Sequence, residues 1–306
     1  MRVWFSGAVA TFSKEEPMEI AVVAEVPILE PLKHMARPGS TIRQTILGDE
    51  ASDGLGFKLV RNQEGVNGGA AFETPRHRHS FQQIRWTESG EVNYAPGKDI
   101  QQGDIAYFPK GAYYGPQVKD HGVQFLLQFG LGEEFLGGKN WYRELQEGAE
   151  ALAARGTFND GVYTDIDPDT GKKRNRDAVH ALYEHRTGKK IVTPEPTYDA
   201  PIMMHPRAFE YYQHGPGVER KELARFHDHP GPNADVRISM LRLSDDGVYE
   251  LSADRAQVAW STSAGLKIEG QTYPELTCLY SPRGENRQIS GVGRVEVFVV
   301  DLPRPD

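Results

Sequence analysis

The sequence of 306 residues has a single cysteine, Cys278, and no apolar run of the roughly 18 residues that a membrane-spanning helix needs. One cysteine excludes a disulfide framework and a cysteine-rich zinc site, so we expect a reducing compartment and a cytoplasmic location. Basic residues are fewer than acidic ones: the chain has 35 Lys and Arg and 43 Asp and Glu, which gives a net charge of −8. This excess of acid disfavours binding to nucleic acid or to an acidic membrane surface.

The residues that are present are typical of a globular protein rich in turns. Hydrophobic residues make up 38% of the chain, which is enough for a sizeable core, and the 32 glycines and 20 prolines favour short strands over long helices. Short apolar segments such as 56–60, 105–108 and 123–127 are separated by Gly, Pro, Asp or Asn. The alternation resumes at 236–243. This spacing of short strands predicts a sandwich or a barrel.

The middle of the chain has a different pattern. Apolar residues recur at helical spacing within 135–155, and a second short helix is predicted at 175–186. A polar stretch, 165–176, lies between them, and a proline-rich connector begins at Thr193. We therefore predict a helical insertion, which would serve either as a dimer arm or as a lid over the first half of the chain.

Two segments of the first strand-rich part recur in the second. Residues 83–86 (QIRW) match 257–260 (QVAW), and 107–111 (YFPKG) match 280–284 (YSPRG). The offsets between the two pairs agree to within one residue. We therefore predict a duplicated β domain, with an N-terminal barrel at 1–130, the insertion and connector at 131–206, and a C-terminal barrel at 207–306.

A His-x-His sequence marks the first candidate site. His77 and His79 are two residues apart at the head of a predicted strand, so their side chains lie on the same face and both imidazoles can reach one point. Two imidazoles on a rigid strand form half of a site for Fe, Mn, Ni, Cu or Zn. Gln83 follows at a spacing of three residues, and Tyr114 closes a later Gly-x5-Pro-x-Gly-x2 pattern that begins at Gly103.

This arrangement resembles the two motifs of the cupin superfamily, G-x5-H-x-H-x3-4-E-x6-G and G-x5-P-x-G-x2-H-x3-N, over residues 71–118. The resemblance implies a mainly β protein with two cupin-type jelly-roll β-barrels and a helical insertion between them. It also implies a divalent metal ion in the N-terminal barrel, Fe(II) in the first place, with Mn, Ni or Zn as alternatives.

The departures from the motifs concern the metal ligands. His77 and His79 match the family's histidines, whereas Gln83 stands at the glutamate position and Tyr114 at the last histidine position. A Gln oxygen is a neutral and weaker ligand than a carboxylate, and it would leave room for an anionic or chelating substrate. Further candidates for the missing ligands are Tyr113, Gln117 and His121, and the sequence leaves this choice open.

The second copy has no histidine at the positions where the family's histidine ligands would lie. Aligning Gln257 on Gln83 puts Leu251 and Ala253 at the histidine positions and Arg287 at the Tyr114 position. This copy is therefore predicted to be structural, or to bind a ligand through its apolar interior and Arg287. A further His-x-His, 227–229, precedes Pro230 and is interpreted as a solvated loop, with a ligand role that reaches across to the first barrel as the alternative.

The resemblance implies an oxygenase-like enzyme that binds a small organic molecule beside the metal. Arg85 has the same strand parity as His77, His79 and Gln83, so Arg85 and Tyr114 are the predicted catalytic residues that orient the substrate and handle protons. The alternatives are a metal-assisted isomerase or lyase, and a non-catalytic cupin that binds a small molecule. A homodimer is expected, because exposed edge strands are ready interfaces.

Overall fold

The computed structural model describes residues 18–29, 41–52, 55–64, 71–119, 121–131, 138–228 and 231–304. Strands of the first half are β1 (Glu19–Val22), β2 (Thr41–Ser52), β3 (Leu55–Glu64), β4 (Phe72–Thr74), β5 (Gln82–Ser89), β6 (Glu91–Ala95), β7 (Lys98–Gln101), β8 (Ile105–Phe108), β9 (Gln117–Lys119) and β10 (Val123–Leu131). The middle contains α1 (Trp141–Ala153), β11 (Gly156–Asn159), β12 (Val162–Ile166), β13 (Lys173–Asp177), α2 (Ala178–Thr187) and β14 (Ile202–Met204). The last part contains β15 (Tyr212–Gly215), β16 (Val218–Phe226), β17 (Val236–Leu243), β18 (Val248–Leu251), β19 (Gln257–Ser261), β20 (Leu266–Ile268), β21 (Gln271–Tyr273), β22 (Thr277–Ser281), β23 (Arg287–Gly291) and β24 (Val295–Asp301).

Two large antiparallel sheets repeat the same strand order. The first β unit is built on a six-stranded sheet in the order β14-β8-β5-β10-β3-β2, and the second β unit on a seven-stranded sheet in the order β1-β22-β19-β24-β17-β16-β15. Gln83 lies opposite Phe108 in the first sheet, and Gln257 lies opposite Ser281 in the second. This register is the one that the aligned sequence segments predict, and it supports the predicted duplication.

Each sheet borrows its outermost strand from the other half of the chain. β1 precedes the first unit in sequence but pairs with β22, and β14 precedes the second unit but pairs with β8. The two exchanges lie at equivalent edges of the two sheets. It ties the two units together and covers the free edges of β8 and β22, which would otherwise expose unpaired backbone groups.

The two large sheets pack face to face through apolar side chains. In β5 the alternation sends Ile84 and Trp86 to this interface, where Trp86 lies 6.3 Å from Trp260 and 5.6 Å from Phe298 between ring centroids. Trp260 is fully buried. Because these residues lie on one face of β5, the residues that alternate with them, Gln83, Arg85 and Thr87, lie on the opposite face. We call this the inner face of the first unit.

The insertion contains the two predicted helices together with a three-stranded sheet, β11-β12-β13, that the sequence analysis did not predict. The second helix begins at Ala178 and not at Asn175. The side chain of Asp177 accepts hydrogen bonds from the backbone N–H groups of Val179 and His180, which fixes the N-terminus of α2 at that point. Asn175 pairs instead with Thr164 in the sheet.

Candidate functional site

His77 and Tyr114 form a short backbone bridge in the first unit. The backbone N–H of each residue donates to the carbonyl oxygen of the other, with N···O distances of 3.0 Å. The bridge places the imidazole of His77 4.4 Å from the ring of Tyr114, centroid to centroid. The first and last positions of the predicted motif are therefore adjacent in space.

The two imidazoles of the His-x-His sequence lie side by side in an edge-to-face arrangement. Their centroids are 5.0 Å apart, with ring planes at 78°. Nδ1 of His77 lies 2.7 Å from the carbonyl oxygen of Pro75, so Nδ1 carries the proton and Nε2 is the basic nitrogen. His79 stacks on Phe81 at 4.5 Å.

This separation fits shared coordination of one ion. Two imidazoles that each give one nitrogen to the same ion, at metal–nitrogen distances of about 2.1 Å, place their ring centroids roughly 5 Å apart. His77 and His79 therefore fit a metal as two ligands. Among the residues that the structure describes, no group of three or more His, Cys, Asp or Glu side chains gathers around a single point, so oxygen donors from neutral side chains, water or substrate would complete the site.

Gln83, Arg85 and Tyr114 form a buried hydrogen-bond network beside the imidazoles. The Gln83 amide nitrogen donates to the Tyr114 hydroxyl at 2.8 Å, and the Arg85 Nη2 group donates to the same hydroxyl at 3.1 Å. The Gln83 oxygen accepts from Arg85 Nε and Nη2 at 3.2 and 3.0 Å. The oxygen that was predicted as the third metal ligand is thus engaged with a guanidinium, and its role as a ligand stays a prediction.

Arg85 is enclosed by neutral and aromatic groups. Its side chain is almost fully buried, and its guanidinium carbon lies 4.0 Å from the centroid of Phe108. Burial lowers the pKa of Arg85 because it removes water from the charged group, although the nearby Tyr114 opposes the shift. Nη1 is buried and has no hydrogen-bond partner in the described part of the chain. The guanidinium keeps donor capacity that the protein does not use.

Three further charged side chains on this face were missed by the sequence analysis. Lys58, Glu64 and Lys119 are each at most 3% exposed. Lys119 Nζ lies 3.8 Å from Glu64 Oε1, and Lys58 Nζ lies 4.0 Å from the centroid of Trp141. A signal was available in β3, where Phe57 and Leu59 mark the interface side, so the charged residues at 58 and 64 must lie on the other face.

Burial shifts the two lysines strongly. It lowers the pKa of Lys119 to about 7, with the positive charges of Arg85 and Arg43 acting in the same direction and the carboxylate of Glu64 acting against them. Burial likewise lowers the pKa of Lys58 well below its ordinary value, and Arg43 contributes to the shift. Perturbed pKa values of this size are typical of functional sites, although structural networks also produce them.

The insertion covers the open side of this face. Trp141 at the start of α1 donates from Nε1 to the hydroxyl of Thr45 at 3.1 Å, and His180 in α2 has Nε2 3.1 Å from the carbonyl oxygen of Arg78. Tyr183 of α2 is buried 6.3 Å from Phe81, and its pKa is raised by burial and by the neighbouring Tyr114. Of the two predicted roles of the insertion, this placement favours the lid.

The other predicted candidates for the missing ligands are engaged elsewhere. Tyr113 is 43% exposed, and the guanidinium of Arg76 lies over its ring. Gln117 donates to the backbone oxygen of Asn93 and accepts from Thr74. His121 is exposed, and its Nε2 lies 3.4 Å from a Glu91 oxygen. The structure does not bring these three side chains to the imidazole pair.

The inner face of the second unit is apolar where that of the first is charged. Leu251, at the aligned histidine position, is fully buried among residues such as Ala259 and Leu279. Arg287 lies at the rim and forms ion pairs of 2.7 Å with Glu269 and Glu285. Arg287 is thus engaged with two carboxylates, and the structural role of the second copy stays a prediction.

Comparisons with known proteins identify the fold. No protein-family model matches the sequence, and no curated protein is significantly similar to it. Among solved structures, a proposed dioxygenase from Nostoc punctiforme aligns with a TM-score of 0.57 at 8% identity, covering 94% of this chain and 84% of the other. A variant of oxalate decarboxylase from Bacillus subtilis aligns with a TM-score of 0.51 at 12% identity, covering 96% and 79%. A second structure of that enzyme, from work on its Mn(II) centres, aligns with a TM-score of 0.50 at 12% identity and the same coverage.

The chain therefore has the cupin fold, in agreement with the prediction from its motifs. It is a mainly β protein whose sheets are those of jelly rolls. Identities of 8% and 12% establish the fold alone, so the chemistry must be argued from the site itself. In the described part of the chain, no helix is both long enough and apolar enough to cross a membrane.

Proposed function

We propose that this protein is a metal-binding cupin enzyme that acts on a small organic molecule at the inner face of the first unit. The observation that carries the proposal is the proximity of His77 and His79, whose ring centroids are 5.0 Å apart beside the buried Tyr114. The fold supports it, since structural neighbours include a proposed dioxygenase and an oxalate decarboxylase with Mn(II) centres.

His77 and His79 would hold the ion, with Fe(II) as the first choice and Mn, Ni or Zn as alternatives. Such an ion supplies Lewis-acid chemistry and, for Fe or Mn, redox chemistry toward dioxygen. Nδ1–H of His77 donates to the carbonyl oxygen of Pro75, which fixes the orientation of the ring, as such hydrogen bonds do for metal-bound histidines.

The chain's own residues would then position the substrate and move protons. Arg85 is held rigidly by Gln83 and can direct Nη1 at a substrate oxygen. The Tyr114 hydroxyl accepts from both Gln83 and Arg85, and we assign it the donation of a proton to the substrate. The insertion would exclude bulk water, because Trp141 and Tyr183 are buried over this face. Oxygenation is the first choice of reaction, and metal-assisted isomerisation or elimination is the variant.

A small-molecule-binding protein without catalysis is the second candidate. The hydrogen bonds of the Gln83 oxygen favour this candidate. A carboxylate at this position would balance part of the charge of a divalent ion, whereas Gln83 is neutral and its oxygen accepts from the cation Arg85.

The predicted unit limits of 1–130, 131–206 and 207–306, the homodimer and the cytoplasmic location stay predictions.

Oxygen uptake by the metal-loaded protein tests the enzymatic proposal. Protein reconstituted with Fe(II) or Mn(II) is mixed with a panel of small organic acids and carbonyl compounds, in air and under argon, beside the His77→Ala/His79→Ala variant. We expect turnover that needs both oxygen and the two histidines. Turnover that is equal in air and argon would reject oxygenation and leave the isomerase variant. Turnover that is equal in the double variant would reject the site.

A further inference from the structure

Two buried cations on the inner face of the first unit lie beside one buried acid. Arg85 and Lys119 are each at most 3% exposed, and Glu64 is the acid beside them. The oxygens of Glu64 are already shared, since Thr41 donates to one at 2.6 Å and Lys119 lies 3.8 Å from the other. A buried charge without a counter-charge is costly, so Arg85 calls for a partner.

Among the described residues, no other acid supplies that partner to Arg85. Asp104, immediately before β8, is bound by His205 at 2.8 Å. In the part of the chain that the structure describes, Arg85 forms no ion pair with any carboxylate, and its hydrogen bonds go to the neutral groups of Gln83 and Tyr114.

The position of Arg85 makes it the natural centre of an anion site. Its Nη1 is a buried donor without a partner, and a buried polar group of this kind needs an explanation in a folded protein. The same guanidinium donates to the Tyr114 hydroxyl, which adjoins His77. A ligand that reaches Nη1 would therefore lie next to the imidazole pair.

We infer that the inner face of the first unit binds a small molecule through an oxyanion, a carboxylate or a phosphate, with Arg85 Nη1 as the principal donor and Lys119 as a second cation. The inference rests on the proposed function for the identity of the site, and it names the chemical class of the substrate. The anion would give Arg85 a counter-charge, and guanidinium donors suit the oxygens of carboxylate and phosphate.

The second unit provides an internal contrast. Arg287, which aligns with Tyr114, has its guanidinium occupied by Glu269 and Glu285 at 2.7 Å each. The buried residues around it, such as Leu251 and Ile289, are apolar. An anion site is therefore expected in the first unit and not in the second, and Arg287 offers a matched control.

Anion binding to the full-length, metal-free protein tests the inference. Acetate, malonate and inorganic phosphate are titrated by calorimetry at constant ionic strength set with NaCl, and thermal unfolding is followed in parallel. We expect saturable binding at one site, with a raised Tm, for at least one of the three anions. Comparing the affinities for acetate and malonate with the affinity for phosphate shows which oxyanion the site prefers. Absence of saturable binding by all three overturns the inference.

Variants assign the binding to Arg85. Arg85→Met should weaken binding by at least about tenfold, the loss expected for one charged hydrogen bond. Arg85→Lys keeps a cation and should retain part of the affinity, so it remains informative should the Met variant fold poorly. Arg287→Met should bind as the wild type does. Equal affinity of Arg85→Met and wild type, or an equal loss in Arg287→Met, would overturn the assignment.

A last variant separates this inference from the metal proposal. His77→Ala/His79→Ala should lose the metal yet still bind the anion in metal-free buffer, because the Arg85 network does not include the imidazoles. Anion binding without metal binding in the wild type would refute the metal site alone. Metal binding without anion binding would refute the oxyanion inference alone.

Discussion

The buried Lys119 should make the stability of the protein depend on pH in a way that one substitution removes. Its side chain is 3% exposed, and burial together with the charge of Arg85 lowers the pKa of Lys119 to about 7 in the folded protein. In the unfolded chain the pKa of a lysine is about 10.4. Between these two values the unfolded state binds more protons than the folded state, so the free energy of unfolding must rise with pH.

The size of this effect follows from the two pKa values. Burying the charged lysine lowers the free energy of unfolding by the full amount below pH 7. This loss disappears gradually as the pH rises toward the pKa of the unfolded chain. From pH 7 to pH 9 the wild type should therefore gain about 2 kcal/mol of stability from Lys119 alone, at up to 1.4 kcal/mol per pH unit. Lys119→Met lacks this gain, whereas Lys58, which is present in both proteins, contributes equally to both.

Urea unfolding at a series of pH values measures the difference. Lys98→Met, which removes an exposed lysine of β7, serves as the matched control and should follow the wild type across the whole range. The reasoning is refuted if the wild type and Lys119→Met show the same change in unfolding free energy from pH 7 to pH 9. It is equally refuted if Lys98→Met reproduces the effect of Lys119→Met.

Three further substitutions, one of them paired with a glycine control, test the packing of the fold. Trp260→Ala should cost about 3–5 kcal/mol in urea unfolding, because the fully buried indole fills the interface between the two sheets. Gly111→Ala should lower the Tm, since Gly111 has φ of +78° and an added Cβ would collide with the carbonyl oxygen of Pro194. Gly97→Ala is the control, because Gly97 also has a positive φ but lies in open space. It should cost only the backbone strain, about 1–2 kcal/mol. Asp228→Ala should destabilise the protein by about 2 kcal/mol, because Asp228 accepts the buried Tyr107 hydroxyl at 2.8 Å, and an unchanged midpoint would contradict that role.

The repeated motif segments carried much of the fold. Matching Gln83 to Gln257 and Pro109 to Pro282 predicted two copies of one topology, and the shared strand order agrees. The exchange of β1 and β14 between the units could not be predicted, because a short edge strand has no local feature that names its partner. The small sheet of the insertion was missed for a related reason: a polar strand such as 173–177 has no apolar alternation to detect.

The site was predicted in outline from the motif positions. His77, His79, Gln83 and Tyr114 are adjacent, as their spacing indicated, and Arg85 follows the strand parity. The sequence analysis could not foresee that the Gln83 oxygen would face Arg85, because that depends on side-chain rotamers within the fold.

The loop at 227–228 was interpreted first as solvated, from its polar residues and the following proline, with a reach across to the first barrel as the alternative. Asp228 is in fact buried against Tyr107 from the first unit. His229 lies outside the described residues. A long-range partner 121 positions away in the sequence leaves no trace in the local pattern.

The most direct test of the metal centre is the metal content of the purified full-length protein after reconstitution with Fe(II) or Mn(II) and removal of excess ion, measured beside the His77→Ala/His79→Ala variant. Shared coordination by the two imidazoles predicts about one ion per chain in the wild type and almost none in the variant, with unchanged folding by circular dichroism. Equal metal content in the two proteins, or none in the wild type, would contradict it.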